Sequence, residues 1–354
     1  MLLALLVSSL GGGVPVKHHV PGDFPTIQAA IDASAPGDTI LVKKGVYAEA
    51  VVLSARSNLT IVGLGHPVVA PASAAPGFRV VDSSDIVIRG FDVGGAANPI
   101  VAFENGGDHR VSKCRASDLA ADGIRGTNCG NTQLDGNRFT NLAGHGIALD
   151  STCHDFRIEK NVIVKCGGTG IRAGGNNHRI EKNQVGNAGA DGISTDVSGF
   201  EHDASILKNK VVQAHGVGVV IAGNDHELVG NQIVDSGGVG VLVNGPFFVA
   251  ELNRVTGSGD DGFRIVAGVN DAVLEKNVVS ASGGDGVDAN CIHSTFEKNR
   301  VNGSASDGFR VLGVDDVFDT NSASKNGTFD LEELSAPGSN VYDANKFKKT
   351  NIPI

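Results

Sequence analysis

The sequence predicts an all-β solenoid of parallel strands. Two series of residues that run in step, and the shortness of the unit containing them, lead to that prediction. The pentapeptide RIEKN stands at Arg157 to Asn161 and again at Arg179 to Asn183, with the near-copies LEKN at Leu274 to Asn277 and FEKN at Phe296 to Asn299. Its Asn recurs as Asn137, Asn161, Asn183, Asn209, Asn231, Asn253, Asn277, Asn299 and Asn321, at intervals of 22 to 26 residues. The second series is a Gly followed by Ile, Val or Phe, preceded in turn by Asp122, His145, Thr169, Asp191, Val217, Val239, Asp261, Asp285 and Asp307. A unit this short, made of alternating strands, cannot bury its own apolar face, so its neighbours must stack on it. The L-x-x-L-x-L frame of leucine-rich repeats is missing. The spacing fits one turn of a parallel β-helix, in which equivalent residues of successive coils lie about 4.8 Å apart.

Taken in chain order, the first feature is an apolar run from Met1 to Val7, followed by small residues. It has the look of the h-region of a secretory signal, without a preceding Lys or Arg and without a clear A-x-A site, and residues 1–20 are read as a leader. The run is too short to span a bilayer and no later segment is long enough, so a soluble mature chain is expected, secreted, periplasmic or at the cell surface. TIQAAIDA, Thr26 to Ala33, has apolar residues at helical spacing with Thr26 as N-cap, and predicts a short helix over about 26–33 that covers the open end of the first coil. Regular coils are expected over about 85–322 and an irregular end over 323–354.

Within each coil the residue after the Gly should point inward, giving the column Ile124, Ile147, Ile171, Ile193, Val219, Val241, Phe263, Val287 and Phe309. Burial of each such side chain is worth about 1.5 to 3 kcal/mol before the entropic cost of ordering it. The Asn column is expected at a sharp corner, where Asn tolerates the left-handed conformation and its amide bonds the coils above and below. A group needed in every coil is a scaffold group, so RIEKN reads as structural, its Arg, Glu and Lys forming a solvated outer face.

Composition limits the partners. The chain of 354 residues is 41% hydrophobic but only 19% charged, with 49 Gly, no Trp, two Tyr and one Met, which favours a core of small aliphatic side chains. A formal charge of -10 argues against nucleic acid as a partner. It also disfavours polyanionic glycans, unless Ca²⁺ or a local group of Arg reverses the field.

The stretch DFPTIQAAIDASAPGDTILVKKGVYAEAVVL, Asp23 to Leu53, with LTIVGLG after it, resembles the start of pectin lyase-like β-helix proteins, and the tandem DGI…IEKNVI units resemble the parallel β-helix repeats of that superfamily. The resemblance implies a single-stranded right-handed parallel β-helix of about ten to twelve coils, forming one domain over residues 21–354. It implies an exported, carbohydrate-associated protein: a polysaccharide lyase or glycoside hydrolase acting in the groove on the first sheet, or a non-catalytic β-helix with a structural, cell-surface or ligand-binding role. The opening is most similar to pectin methylesterases, but their Gln and Asp motifs have no counterpart. GHG at Gly144 to Gly146 precedes GDDG at Gly259 to Gly262, the reverse of the galacturonase order, and the D-P-H-D of alginate epimerases is absent. No catalytic set carries over intact, and whether the chain is an enzyme stays open.

On the outward face of the first strand, polar residues gather in two places with an apolar band between them. The first group joins His145, Asp150, Arg172, Asp191 and Asp196, where carboxylates one or two coils apart can divide acid and base roles in glycoside hydrolysis, and Arg172 can neutralise a uronate for lyase-type proton abstraction. The second joins Asp260, Asp261 and Asp285, whose density suits Ca²⁺, with Arg264, Asp288 and Arg310 as substrate-binding residues; Asp307 lies beside them. Asp before Gly is also ordinary turn chemistry. Residues that depart from the repeat, His145, Asp150, Asp196 and Asp288, are therefore the stronger candidates. Cys129 and Cys153 share a column on adjacent coils, at a separation a disulfide accepts; a stacked pair of reduced thiols is the alternative. His109, His178 and His226 share another column in separated coils, and no spacing suggests zinc.

Overall fold

The computed structural model of the chain describes residues 14–94, 99–195, 203–336 and 338–352. The apolar run read as a leader falls on residues 1–13 and Asp196 on 196–202, both outside the described residues. The strand Lys17–Val20, within the residues 1–20 expected as a leader, pairs in parallel with Thr39–Lys43 of the first coil.

All the strands described run parallel to their neighbours, in a stack of about 14 turns. The expected ten to twelve coils are too few, because the stack begins before the recognisable repeats and continues through Leu331–Glu333 and Val341–Asp343. Three faces are formed. The first and second belong to one 27-stranded sheet, joined where strands such as Phe78–Arg89 and Ile124–Gly130 turn the corner between faces, and the third is a 13-stranded sheet. The helix α1, Ile27–Ala33, buries Ile27, Ala30 and Ile31 over the first coil. Thr26 accepts from the Ala29 N–H at 3.1 Å, and the Glu49 carboxylate takes the N–H groups of Ile27 and Gln28, each at 2.9 Å. The orphan donors of the first helical turn are thereby met.

One continuous core fills the stack. Its first-face column runs in register from Val51 through Phe78, Val101, Ile124, Ile147 and Ile171 to Leu331, as the alternation of apolar residues requires. From Ile124 to Phe309 each member follows a Gly fixed by close approach: a Cβ on Gly240 would lie 2.5 Å from the Gly262 carbonyl oxygen. Near the C-terminal end the rings of Phe296, Phe318 and Tyr342 stack, with centroids 4.5 and 5.2 Å apart.

The Asn column is a buried amide ladder. Asn253 Oδ1 accepts from the backbone N–H of Asn231 at 2.9 Å and from its Nδ2 at 3.0 Å, while Asn253 Nδ2 donates to the Leu228 carbonyl at 2.6 Å. The pattern repeats from Asn137 to Asn345 and begins at Cys114, whose N–H meets Asn137 Oδ1. One expectation is corrected. The left-handed residue is not the Asn but the one before it: Lys160, Lys182, Lys208, Lys276 and Lys298 have φ of 54 to 56°. The turn is made by the exposed Lys so that the Asn side chain can point inward and satisfy backbone groups that would otherwise be buried unpaired.

Candidate functional site

The outward side of the first face is one continuous column. In register it reads Val52, Arg79, Ala102, Arg125, Ala148, Arg172, Ser194, Val220, Leu242, Arg264, Asp288, Arg310 and Glu332. Its two ends differ in how their charges are met.

At the N-terminal end Arg alternates with Ala. The small side chains of Ala102 and Ala148 leave a trough between the guanidinium groups: a cavity of about 400 Å³ lined by Asp122, Arg125, Thr127, His145, Asp150 and Arg172 adjoins a second of about 540 Å³ lined by Arg79, Glu104, Arg125 and Thr127. Arg79 is held by Glu104, and Arg125 by Asp122 with contacts of 3.0 and 2.8 Å. Arg172 is half-buried and makes no ion pair among the described residues.

His145 sits at the corner position that Asp holds in other coils and performs the same duty. Its Nδ1 accepts the Thr169 N–H at 2.9 Å, as Asp122 Oδ1 accepts the His145 N–H at 2.8 Å and Asp191 Oδ1 the Val217 N–H at 2.8 Å. An acceptor at Nδ1 puts the ring proton on Nε2, so the neutral ring presents a donor. Asp150 Oδ1 accepts from the Thr152 N–H at 3.0 Å, from its hydroxyl at 2.5 Å and from the Cys153 thiol at 3.5 Å. Burial pushes this carboxyl up, but the Thr152, Cys153 and Asn128 donors outweigh it and hold it below the usual carboxylate range. Cys129 and Cys153 are free thiols with Sγ atoms 3.6 Å apart, and the contact with Cys153, together with burial, pushes the Cys129 thiol well up. Of the first sequence-derived group, the cavity thus gathers His145, Asp150 and Arg172, while Asp191 belongs to the corner ladder. Arg79, Glu104, Asp122 and Arg125 join them. Arg79 and Glu104 were not expected because the coil of Glu104 opens on Ile100 in place of Gly, which interrupts the Gly-led series between Gly123 and Gly77; register counted back from Arg125 finds them.

At the C-terminal end the charges satisfy one another. Arg264 contacts Asp260 at 2.8 Å, Asp261 at 2.7 Å and Asp288 at 4.0 Å; Arg310 contacts Asp288 at 3.1 Å and Glu332 at 3.8 Å. The three Asp assigned to Ca²⁺ have other partners: Asp261 Oδ1 accepts the Asp285 N–H at 2.7 Å, Asp285 Oδ1 the Asp307 N–H at 2.9 Å, and Asp260 faces Arg264. Among the described residues no three His, Cys, Asp or Glu side chains are grouped to hold a metal ion. Burial pushes the Asp285 carboxyl up to about 6, with the Asp307 N–H opposing and the neighbouring Asp261, Asp307 and Asp288 adding to the rise.

The fold is that of a right-handed parallel β-helix: residues 196–347 match the model described as "Right handed beta helix region". Residues 34–237, more than half the chain, match the family described as "Periplasmic copper-binding protein (NosD)", and the chain belongs to that family. Among solved structures it is similar to the A-module of a mannuronan C-5 epimerase from Azotobacter vinelandii, with 17% identity over 93% of this chain and 95% of that one and a TM-score of 0.68. It is also similar to a PL6 family alginate lyase, with 15% identity over 93% of this chain and 53% of that one and a TM-score of 0.68. A third is the catalytic unit of a GH87 α-1,3-glucanase from Streptomyces thermodiastaticus, with 15% identity over 96% of this chain and 70% of that one and a TM-score of 0.56. At these identities the likeness is one of fold. No curated protein sequence matches the chain.

Copper, which the family's description names, does not suit the residues present. All five Cys are buried, and burial pushes the Cys114 thiol up to about 11. His109, His178 and His226 spend Nδ1 on the backbone N–H groups of Ile86, Phe156 and Ala204, at 3.3, 3.2 and 3.0 Å, in coils too far apart to share an ion. The only Met is Met1, outside the described residues. The five Cys and these three His are thus either sequestered or committed to the scaffold.

Proposed function

We propose that the trough from Arg79 to Arg172 binds a linear acidic polysaccharide along the axis of the stack, outside the cytoplasm, with a sugar carboxylate on Arg172. The observation that carries this reading is the Arg172 guanidinium, without an ion-pair partner among the described residues, in a cavity shared with His145 and Asp150. With Arg79, Arg125 and Arg172 set against Glu104, Asp122 and Asp150, the trough is locally balanced on a protein of net charge -10, which lowers the repulsion an acidic glycan would meet there. The alternation of Arg79, Ala102, Arg125, Ala148 and Arg172 supports it, since Arg positions on alternate coils, about 9.6 Å apart along the stack, match a ribbon that shows a carboxylate to one side every second unit. The kinship in fold with enzymes named for alginate and glucan is in keeping with a carbohydrate partner.

A catalytic reading is the second one, favoured by the presence of three different groups in one cavity. Arg172 would neutralise a uronate carboxylate, Asp150 would take the acidified proton beside it, and the His145 Nε2–H would bond the oxygen on which charge develops. A neutral ring that gave up this proton would become an imidazolate, so the leaving oxygen takes its proton from solvent. The bonds from Thr152 and Cys153 make Asp150 a weak base, which is why binding is placed before turnover. Asp191 and Asp196 would complete a hydrolytic alternative.

The test is a panel of pectate, alginate, chondroitin and neutral glycans, with and without Ca²⁺, followed by calorimetry, by absorbance of unsaturated products and by reducing ends. Saturable binding of acidic glycans that is lost in Arg172→Gln supports the reading. Binding of neutral glycans alone, or no binding at all, removes it.

A further inference from the structure

The third face carries a second cluster of basic groups, unrelated to the trough. Its outward column includes Asp92, Arg115, Arg138 and Val162 in register, and two residues along each strand stand Ser117 and Thr140, also in register. Two consecutive coils therefore repeat Arg-x-Ser/Thr, as Arg115-Ala-Ser117 and Arg138-Phe-Thr140. Because alternate residues face the same way, the four side chains mark the corners of a rectangle about 4.8 Å by about 6.6 Å. They line a cavity of about 250 Å³.

Like charges directly opposite each other on adjacent parallel strands destabilise a sheet unless something lies between them. Neither guanidinium makes an ion pair among the described residues, although two carboxylates are near. Asp92 is turned to His66 Nδ1 at 3.0 Å, and Asp118 is engaged by Asn141 Nδ2 at 2.5 Å and by the Ser117 hydroxyl. Neither acid bonds to the guanidinium groups, although Asp92 also lines the cavity beside Arg115.

We infer that Arg115 and Arg138, with Thr140 and Ser117 opposite them, form a site for a tetrahedral oxyanion, a sulfate or phosphate group. Two stacked guanidinium groups match the charge of a dianion and its spread of acceptor oxygens, and Thr140 supplies a hydroxyl donor from the other side. The same local sequence at Arg254-Val-Thr256 lacks this property, because its column neighbours are Gln232 and Val278. Stacking in consecutive coils, rather than the tripeptide, makes the site.

The experiment is calorimetric titration of the full chain at low ionic strength with inorganic phosphate, inorganic sulfate, a sugar 6-phosphate and a sugar 6-sulfate, the ester arms separating a group carried on a ligand from the free ion. Saturable binding is expected in at least one arm, weakened about tenfold or more in Arg138→Gln and Arg115→Gln. Arg254→Gln and Arg172→Gln should leave it unchanged, and acetate should not compete. All four residues lie on the surface of regular strands, and circular dichroism checks that each variant folds. No saturable binding in any arm, or binding that survives Arg138→Gln or falls equally in Arg254→Gln, overturns the inference. Loss of acidic-glycan binding in Arg172→Gln has no bearing on it, so the two sites stand or fall separately.

Discussion

The two ends of the first face are built on the same scaffold and use the same residues to different effect. Around Arg264 and Arg310 each guanidinium has carboxylates on the coils beside it, so Arg, Asp, Arg and Glu close into a ladder of ion pairs. Around Arg125 and Arg172 the neighbouring coils contribute Ala102 and Ala148, and Arg172 is left without a charge partner among the described residues. In a solenoid, the residue one repeat away decides whether a charge is structural or available to a ligand. Composition alone cannot tell the two apart, since both ends are rich in Arg and Asp.

The difference is sharpened most by removing one acid from the closed end. Asp261 is 3% exposed and serves both the Asp285 N–H and Arg264, so Asp261→Ala should cost about 2 to 4 kcal/mol in urea unfolding. Asp261→Asn, which keeps an acceptor for that N–H, should cost less. At the open end Arg172→Ala should change stability by no more than about 0.5 kcal/mol, while weakening binding of an oligouronate about tenfold or more. Arg310→Ala should leave that binding unaltered.

Acid should also separate the two halves. Burial holds the imidazoles of His109 and His178 down to about 4 from an ordinary 6.5, so the unfolded chain takes up protons first and their contribution, complete above about 6.5, is lost as pH falls through 4. Asp285 and Asp316, pushed up by burial to about 6 from 3.8, act in the opposite sense. The folded state holds their protons more tightly, so their contribution is complete below about 3.8 and lost as pH rises through 6. Between pH 6.5 and 4, hydrogen exchange corrected for its intrinsic rate should therefore quicken around His109 and His178 relative to Asp285 and Asp316. Uniform change along the stack would contradict this assignment. The smallest effect is expected from Glu104→Gln, which frees Arg79 and should tighten oligouronate binding about threefold.

Much of this was legible from the repeat, because a period of 22 to 26 residues fixes register and register fixes which side chains point outward. The column from Arg125 to Arg310 follows from counting alone. The first coils were missed because Val51–Ser54 and Val101–Gly107 lack the Gly-led signature, although they pair in the same ladder. Spacing also could not show where side-chain oxygens point. The Asp residues before Gly are corner caps that accept the next coil's N–H, and His145 substitutes for one of them through Nδ1. The expected Ca²⁺ set was a reading of density; the ladder gives those carboxylates other partners.

The most direct test of the account is a hydrogen-exchange footprint of the whole chain with a saturating oligouronate. Protection should appear in Ile124–Gly130, Ile147–Leu149 and Ile171–Ala173 and be absent from Phe263–Asn270 and Phe309–Val311. Protection centred on Arg264 and Arg310, with none at Arg172, would contradict it.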